Sequence, residues 1–448
     1  MKLTKGCVDL RGEENLMNMQ LIGGLICLAI FIAVLASKLP NWMTFVCMAP
    51  VAVFLGIADN ALIWGTLNKS SIHLLANICI FSAMIAATGL DVVIGNFVDK
   101  MTSKATGKSK ELAIFGIVYV ISGLISFVLQ NSYVAMAFLP VLTSIAKVNN
   151  ISLSKLVLFV IYSTTLGGAC TLIGTPTNVY ANTALQEAGL AEFGMFDFAW
   201  VGIPIFIVGG LYMVFMHRWC PSYDDYGENL PGSDPNKAVT AEQSAAQKKV
   251  LIGFLVFILA LVNGSLKWVS IPADPTLIGY AVIAVLILTK VVDTKVVLKQ
   301  FDGGFILFAA GINLMISLMT ASGLGNQFGN IIINILGGTK NLYVMTAVLF
   351  IGAAIMTSFM NNMACAGILA PVGIAIAEAL GAHPQAIVLA IAIGAGCSYL
   401  TPIASGTNQT LLPFTKLQFQ DFAKFGWPLV IISFVICVAV LPLVFPFF

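Results

Sequence analysis

Two short clusters of amides and hydroxyls interrupt long apolar runs in this chain, and their residue types limit the chemistry available. The first is Gln130–Asn131–Ser132, in the middle of 112–148, and the second is Asn361–Asn362–Met363, in the middle of 342–380. Each is followed by a stretch dense in Gly, Pro, Ser and Thr, at 167–178 and at 398–408. None of these segments holds a charged residue; the nearest are Lys147, Lys155, Glu187 and Glu378, toward segment ends. Amide and hydroxyl oxygens, with carbonyls freed by a broken helix, suit a hard cation such as Na⁺. The N–H groups at a new helix N-terminus carry partial positive charge and suit an anion. An anion held without arginine in a low dielectric is costly. A co-bound cation offsets that cost and couples the two fluxes. The sequence contains no HExxH, no GxSxG and no paired intramembrane aspartates, so an enzyme is not expected.

Polar backbone at membrane depth survives only where protein or a water-filled cavity satisfies it. The frame around the clusters is a membrane bundle. Of 448 residues, 59% are hydrophobic and 9% charged, where soluble proteins carry about 25% charge. The mean hydropathy is +0.96. The pattern predicts an all-α polytopic membrane protein with about ten spans, near 20–37, 42–58, 72–90, 152–186, 198–217, 249–265, 272–290, 303–322, 385–412 and 427–446. The helix pairs 112–148 and 342–380, each with its polar break, read as re-entrant hairpins. The spans 152–186 and 385–412 read as broken helices, because Gly and Pro at this density unwind a helix. The apolar run at 21–36 is long for a signal core and reads as a retained first helix. A polar linker, 219–248, joins the halves. Asp91 reads as a helix-end residue, not a proton carrier. Nine cysteines without a CxxC read as free thiols, and three scattered histidines give no metal centre. The 22 Lys and Arg are scattered between spans, which leaves no nucleic-acid surface.

The clusters repeat. Asn131 and Pro140 match Asn362 and Pro371 at an offset of 231, and Ser126 matches Thr357 at the same offset. Thr177–Asn178 matches Thr407–Asn408 at an offset of 230, and Thr88–Gly89–Leu90 resembles Ser322–Gly323–Leu324. The halves, 1–218 and 249–448, then each hold three spans, a hairpin, a broken span and a final span. Five crossings per half is an odd number, so the second half is expected inverted. Inverted repeats with matched broken helices point to a transporter site. Six of the 22 basic residues fall on the N-terminal side of the membrane and the rest opposite. The positive-inside rule then places both termini outside the cytoplasm, in a plasma (inner) membrane.

At the run Gly174–Thr175–Pro176–Thr177–Asn178, preceded by Gly168 and Thr171, the chain resembles the divalent anion–sodium symporter family, within the wider ion transporter superfamily. The repeat order and both hairpins extend the resemblance over nearly the whole chain. It implies a homodimer in which a mobile transport domain (112–186 plus 342–412) moves like an elevator against a scaffold of the remaining spans. It implies Na⁺ as coupling ion, bound at Ser126, Asn131 and the Gly174 backbone, and at Thr357, Asn362 and the Ala404 backbone. No organic cofactor is implied. In the family a Ser-Asn-Thr triplet at each tip binds substrate carboxylates. The corresponding residues here are Asn131 and Ser132, and Asn362 and Met363. The broken-span loops add Thr175 and Pro176, and Ser405 and Gly406. The reading is a secondary active transporter of a small di- or tricarboxylate-like anion, with an exchanger or a proton-coupled carrier as alternatives. Met363 departs from the pattern, since it has no hydroxyl. One bond to a charged oxygen, worth about 1.5–3 kcal/mol, is missing, which leaves a differently shaped carboxylate or an inorganic oxyanion such as sulfate open.

Overall fold

Apolar helices and polar breaks dominate the computed structural model, which describes residues 3–37, 39–88, 107–225, 241–270, 274–300, 303–335 and 338–448. Asp91 and linker positions 226–240 lie outside the described residues. Among the described residues there is no strand. The first half runs α1 (Leu3–Ala36), α2 (Met43–Phe54), α3 (Asn60–Leu67), α4 (Ser70–Ala87), α5 (Gly107–Ser126), α6 (Asn131–Asn149), α7 (Leu153–Gly168), α8 (Pro176–Glu187) and α9 (Ala199–Phe215). The second runs α10 (Ala241–Leu266), α11 (Pro275–Leu288), α12 (Thr294–Gln300), α13 (Gly303–Ala321), α14 (Leu324–Ile335), α15 (Leu342–Thr357), α16 (Asn362–Ala379), α17 (Gln385–Gly396), α18 (Gly406–Leu411) and α19 (Phe419–Val444).

Both expected hairpins are helix pairs broken at the predicted places, and both expected broken spans are broken. Five described helices are long and apolar enough to cross a membrane: parts of α1 and α10, with α13, α16 and α19. Six shorter apolar helices, including α7, α15 and α17, have the lengths of hairpin arms and broken halves. Three elements were not anticipated. α3 and α12 are short, and α14 is an amphipathic helix whose Asn and Gly residues mask its apolar face. α10 also begins at Ala241, well inside the stretch read as linker, and α19 begins at Phe419, ahead of the expected 427. Near the other end of the linker, Asp225 is buried, and its carboxylate accepts from the N–H groups of Leu153 and Ser154, each at 2.9 Å. That caps α7 at the end where a negative charge suits the helix dipole.

Burial separates two populations of helix. Every residue of α7 is buried, and 78% of the α16 window is buried against 28% of the α19 window. α7, α16 and α17 are therefore wrapped by protein, while α19 turns apolar side chains such as Ile431 and Val435 outward, as a lipid-facing helix does. The packing order is duplicated. α7 packs on α5, α6 and α9, and α17 packs on α15, α16 and α19 in the same way. The halves interlock where α6 meets α18 and α16 meets α8. The end of α8 meets the second half at Glu187, which pairs with Lys69 and accepts from Ser317 Oγ at 3.1 Å.

Candidate functional site

At the first tip, α5 stops at Ser126 and α6 starts at Asn131, with the break held from below by the loop after α7. Thr171 Oγ1 donates to the Phe127 carbonyl, the Gly174 N–H donates to Thr171 Oγ1 at 3.0 Å, and Asn178 Nδ2 donates to the Thr171 carbonyl at 2.8 Å. The Asn131 amide sits inside this frame. Its nitrogen faces Ser126 Oγ at 2.6 Å and the Gly174 and Thr164 carbonyls at 3.1 Å each, an orientation assigned from the bonding pattern. Gly168 makes room for it: a Cβ there would lie 2.5 Å from the amide and 3.0 Å from the Gly174 carbonyl. Ser126, Asn131 and Gly174 are thus brought together as expected.

The second tip repeats this wiring. Thr401 Oγ1 donates to the Ser358 carbonyl at 2.6 Å, and Asn408 Nδ2 donates to the Thr401 carbonyl at 2.9 Å. Phe127, Thr171 and Asn178 are the counterparts of Ser358, Thr401 and Asn408, at the same offsets as the sequence repeat. The asparagine that matters differs in its surroundings. Asn362 Nδ2 donates to Ser398 Oγ at a long 3.4 Å, and its buried Oδ1 has no partner. Thr357, expected beside it, turns its hydroxyl to the Ala395 carbonyl at 2.7 Å. Ala404 is fully buried in the loop.

A cavity of about 690 Å³ opens between the tips. All the residues expected to bind substrate line it: Asn131, Ser132, Thr175 and Pro176 from the first half, and Asn362, Met363, Ser405 and Gly406 from the second. Ser132 Oγ and Thr407 Oγ1 lie 3.0 Å apart and tie α6 to α18. None of the described lining side chains is charged. Sequence reasoning missed several lining residues. Thr177 and Thr407 were visible as a repeated pair and could have been assigned. Met136 lies one helical turn from Ser132, and that spacing was a signal. Cys79, Phe305 and Phe308 also line the cavity, but they arrive through the packing of α4 and α13, which no local pattern announces. Among the described residues, no cluster of His, Cys, Asp or Glu could hold a metal ion.

The family profile described as "Citrate transporter" matches residues 24–394 and again 268–447. The chain belongs to the citrate transporter family. It is accordingly an integral membrane transporter and not an enzyme. It is similar to a sodium-dependent dicarboxylate transporter, SdcS of Staphylococcus saprophyticus, at 24% identity over 361 residues, which is 73% of this chain and 68% of that protein. A local stretch of 112 residues is 33% identical to the uncharacterized transporter YfbS of Escherichia coli, covering 25% of this chain but 18% of that protein. Two solved structures share the fold. The YdaH transporter of Alcanivorax borkumensis superposes with a TM-score of 0.59 over 94% of this chain and 98% of its own, at 13% identity. MtrF of Neisseria gonorrhoeae, described as an antimetabolite efflux pump, gives 0.56 over 88% and 84%, at 14% identity.

Proposed function

We propose that this protein is a secondary active transporter that carries a small carboxylate anion coupled to Na⁺, with the anion bound in the cavity between the two tips. The observation that carries the reading is the duplicated pair of tips around one cavity without charged side chains. An anion there draws its compensation from helix N-termini and from a bound cation. The residues fit Na⁺ at both tips. At the first, Ser126 Oγ, the Gly174 carbonyl and a reversed Asn131 amide form a set of hard oxygen donors. At the second, the partnerless Oδ1 of Asn362 offers one, with the Ala404 backbone proposed to add another and Thr357 to join only if its hydroxyl leaves the Ala395 carbonyl. The citrate transporter family and the similarity to a dicarboxylate transporter make a di- or tricarboxylate-like anion the starting expectation.

In this reading α5–α8 and α15–α18 form the transport domain, built of two inverted repeats. It moves as an elevator against a scaffold of the other helices, in a homodimer in the plasma membrane. The Lys69–Glu187 pair would then part and reform as α8 slides past α13. A proton-coupled mechanism is disfavoured, because among the described residues no carboxylate, amine or imidazole lines the cavity. The test is uptake into proteoliposomes of labelled succinate, citrate, sulfate and 2-oxo-4-methylpentanoate, with and without an inward Na⁺ gradient. Concentrative, Na⁺-driven uptake of a carboxylate is expected. Uptake driven only by a pH gradient or by counter-substrate would overturn the coupling, and uptake of sulfate alone would overturn the carboxylate.

A further inference from the structure

The two ends of the cavity are chemically unequal. Since α6 packs on α18 and α16 packs on α8, the cavity has one pole at the start of α6 and another at the start of α16. At the α6 pole, Ser132 and Thr407 present two hydroxyls 3.0 Å apart. The first turn of α6 has no side-chain cap, because Gln130 gives none to the helix and accepts instead from Cys79 Sγ at 3.3 Å. The N–H groups of Asn131 and Ser132 are then left for a ligand, while those of Tyr133 and Val134 donate to the Gln130 carbonyl. Gln409 and Thr410 of α18 add polar lining on the same side, and Met136 edges it one turn along α6.

At the α16 pole the lining is different, although Asn361 and Asn362 of the second tip and Thr175 and Thr177 at the start of α8 still give it polar groups. The counterpart of Ser132 is Met363, so the position equivalent to the hydroxyl that meets Thr407 carries a thioether. The first turn of α16 is already capped, with Asn361 Oδ1 accepting the Met363 N–H at 2.9 Å. α8 opens with Pro176, which has no N–H to offer. α13 packs against both α16 and α8 and contributes Phe305 and Phe308 to the lining. A second carboxylate placed here would lose its water and meet, beside neutral amides and hydroxyls, a thioether and two aromatic rings, with no cationic side chain among the described lining residues. An apolar group placed here would be buried favourably.

We infer that the cavity takes an asymmetric monoanion, with one carboxylate at the Ser132–Thr407 pole and an apolar tail against Met363, Phe305 and Phe308. The inference rests on the reading of the cavity as the anion site and narrows its substrate class from di- and tricarboxylates to short amphipathic monocarboxylates. Dicarboxylate selectivity needs a tip hydroxyl at both poles, so position 363 sets specificity.

The test is ligand binding to the purified full-length protein in Na⁺, read as apparent Kd from thermal stabilisation by succinate, citrate, 4-methylpentanoate and 2-oxo-4-methylpentanoate. The branched monoacids are expected to bind at least about tenfold more tightly than succinate or citrate, the scale on which apolar pockets discriminate. Met363→Thr should lower that ratio about tenfold, while Met363→Leu, the folding control, keeps it. Equal or tighter binding of succinate or citrate to the wild type overturns the inference and leaves carboxylate transport standing. A ratio that Met363→Thr does not move removes position 363 from the site and overturns it too. Binding of none of the acids overturns the carboxylate reading itself, and this inference with it.

Discussion

The two tips share a wiring diagram but differ in how their central asparagine is held. Asn131 faces three oxygens within 3.1 Å and is clamped by Gly168. Asn362 has one long bond to Ser398 and a buried oxygen with no partner. Two bonds that shape the supporting loops recur in both halves: Thr171 to Phe127 as Thr401 to Ser358, and Asn178 to Thr171 as Asn408 to Thr401. The duplication has thus kept the scaffolding and let the ligand-facing residues diverge. A buried oxygen without a partner costs about 1–3 kcal/mol, so the second tip carries an unmet bond that the proposed cation would satisfy, whereas the Asn131 amide of the first tip is already bonded.

The largest effect expected from breaking this contrast is that of Asn131→Ala, which strips the amide from three oxygens at once. Uptake should fall at least about a hundredfold, the equivalent of two ordinary hydrogen bonds to charged or buried groups, while a normal gel-filtration profile reports that the protein still folds. Asn362→Ala should also abolish concentrative uptake, but chiefly by removing Na⁺ dependence at low Na⁺. Retained wild-type uptake in either purified variant would remove that residue from the site.

Next in size is an exchange between the halves. Gly168 and Ser398 are counterparts at an offset of 230. Gly168→Ser would put a Cβ 2.5 Å from the Asn131 amide, so transport should drop as far as in Asn131→Ala. Ser398→Gly removes two long bonds, from Asn362 at 3.4 Å and to the Gly396 carbonyl at 3.5 Å, and should change half-saturation by only about threefold, the effect of weak bonds lost. Equal effects of the two changes would mean that the tips are held alike.

A smaller contrast concerns the loops. Asn178→Ala and Asn408→Ala each leave loop carbonyls unsatisfied, but Asn408 serves two of them, at Ser398 and Thr401, each at 2.9 Å. Each change should cost about 1–3 kcal/mol of stability, the greater loss falling on Asn408→Ala, as a lower melting temperature of the purified protein. Ser132→Ala, which removes one hydroxyl of the Ser132–Thr407 pair, acts on binding alone and should raise half-saturation about tenfold without changing the maximal rate.

Much of this architecture was legible in the sequence because the signals were local. Gly and Pro at high density in a span point to a break, and amide clusters that recur at constant offsets revealed both the hairpin tips and the duplication; a lone amide does not suffice, since Asn77 and Asn313 lie inside the unbroken α4 and α13. The lining residues at Asn131, Ser132, Asn362 and Met363 followed directly. What stayed hidden depends on contacts between distant elements. Phe305 and Phe308 reach the cavity because α13 packs on α16 and α8. The capping of α7 by Asp225 joins residues far apart in the chain, and nothing near Ser152 signals it. α14 escaped because its apolar face is spaced among Asn and Gly, so that no long run betrays it. The sequence also paired Thr357 with Asn362, as Ser126 pairs with Asn131. The structure instead commits the Thr357 hydroxyl to Ala395, since a threonine at the end of a buried helix satisfies the nearest free carbonyl.

The central claim is that two duplicated tips bind one anion with the help of Na⁺, and the most direct measurement is the Na⁺ dependence of ligand binding in purified protein. Apparent affinity for the tightest-binding carboxylate, titrated over a range of Na⁺ at constant ionic strength, should rise with a log–log slope of about two, because linkage requires each coupled ion to strengthen the ligand as the ligand strengthens it. The slope should fall by about one unit in Asn362→Ala. An affinity independent of Na⁺, with the ligand still bound in the cavity, would contradict the account and leave the two tips as structural joints alone.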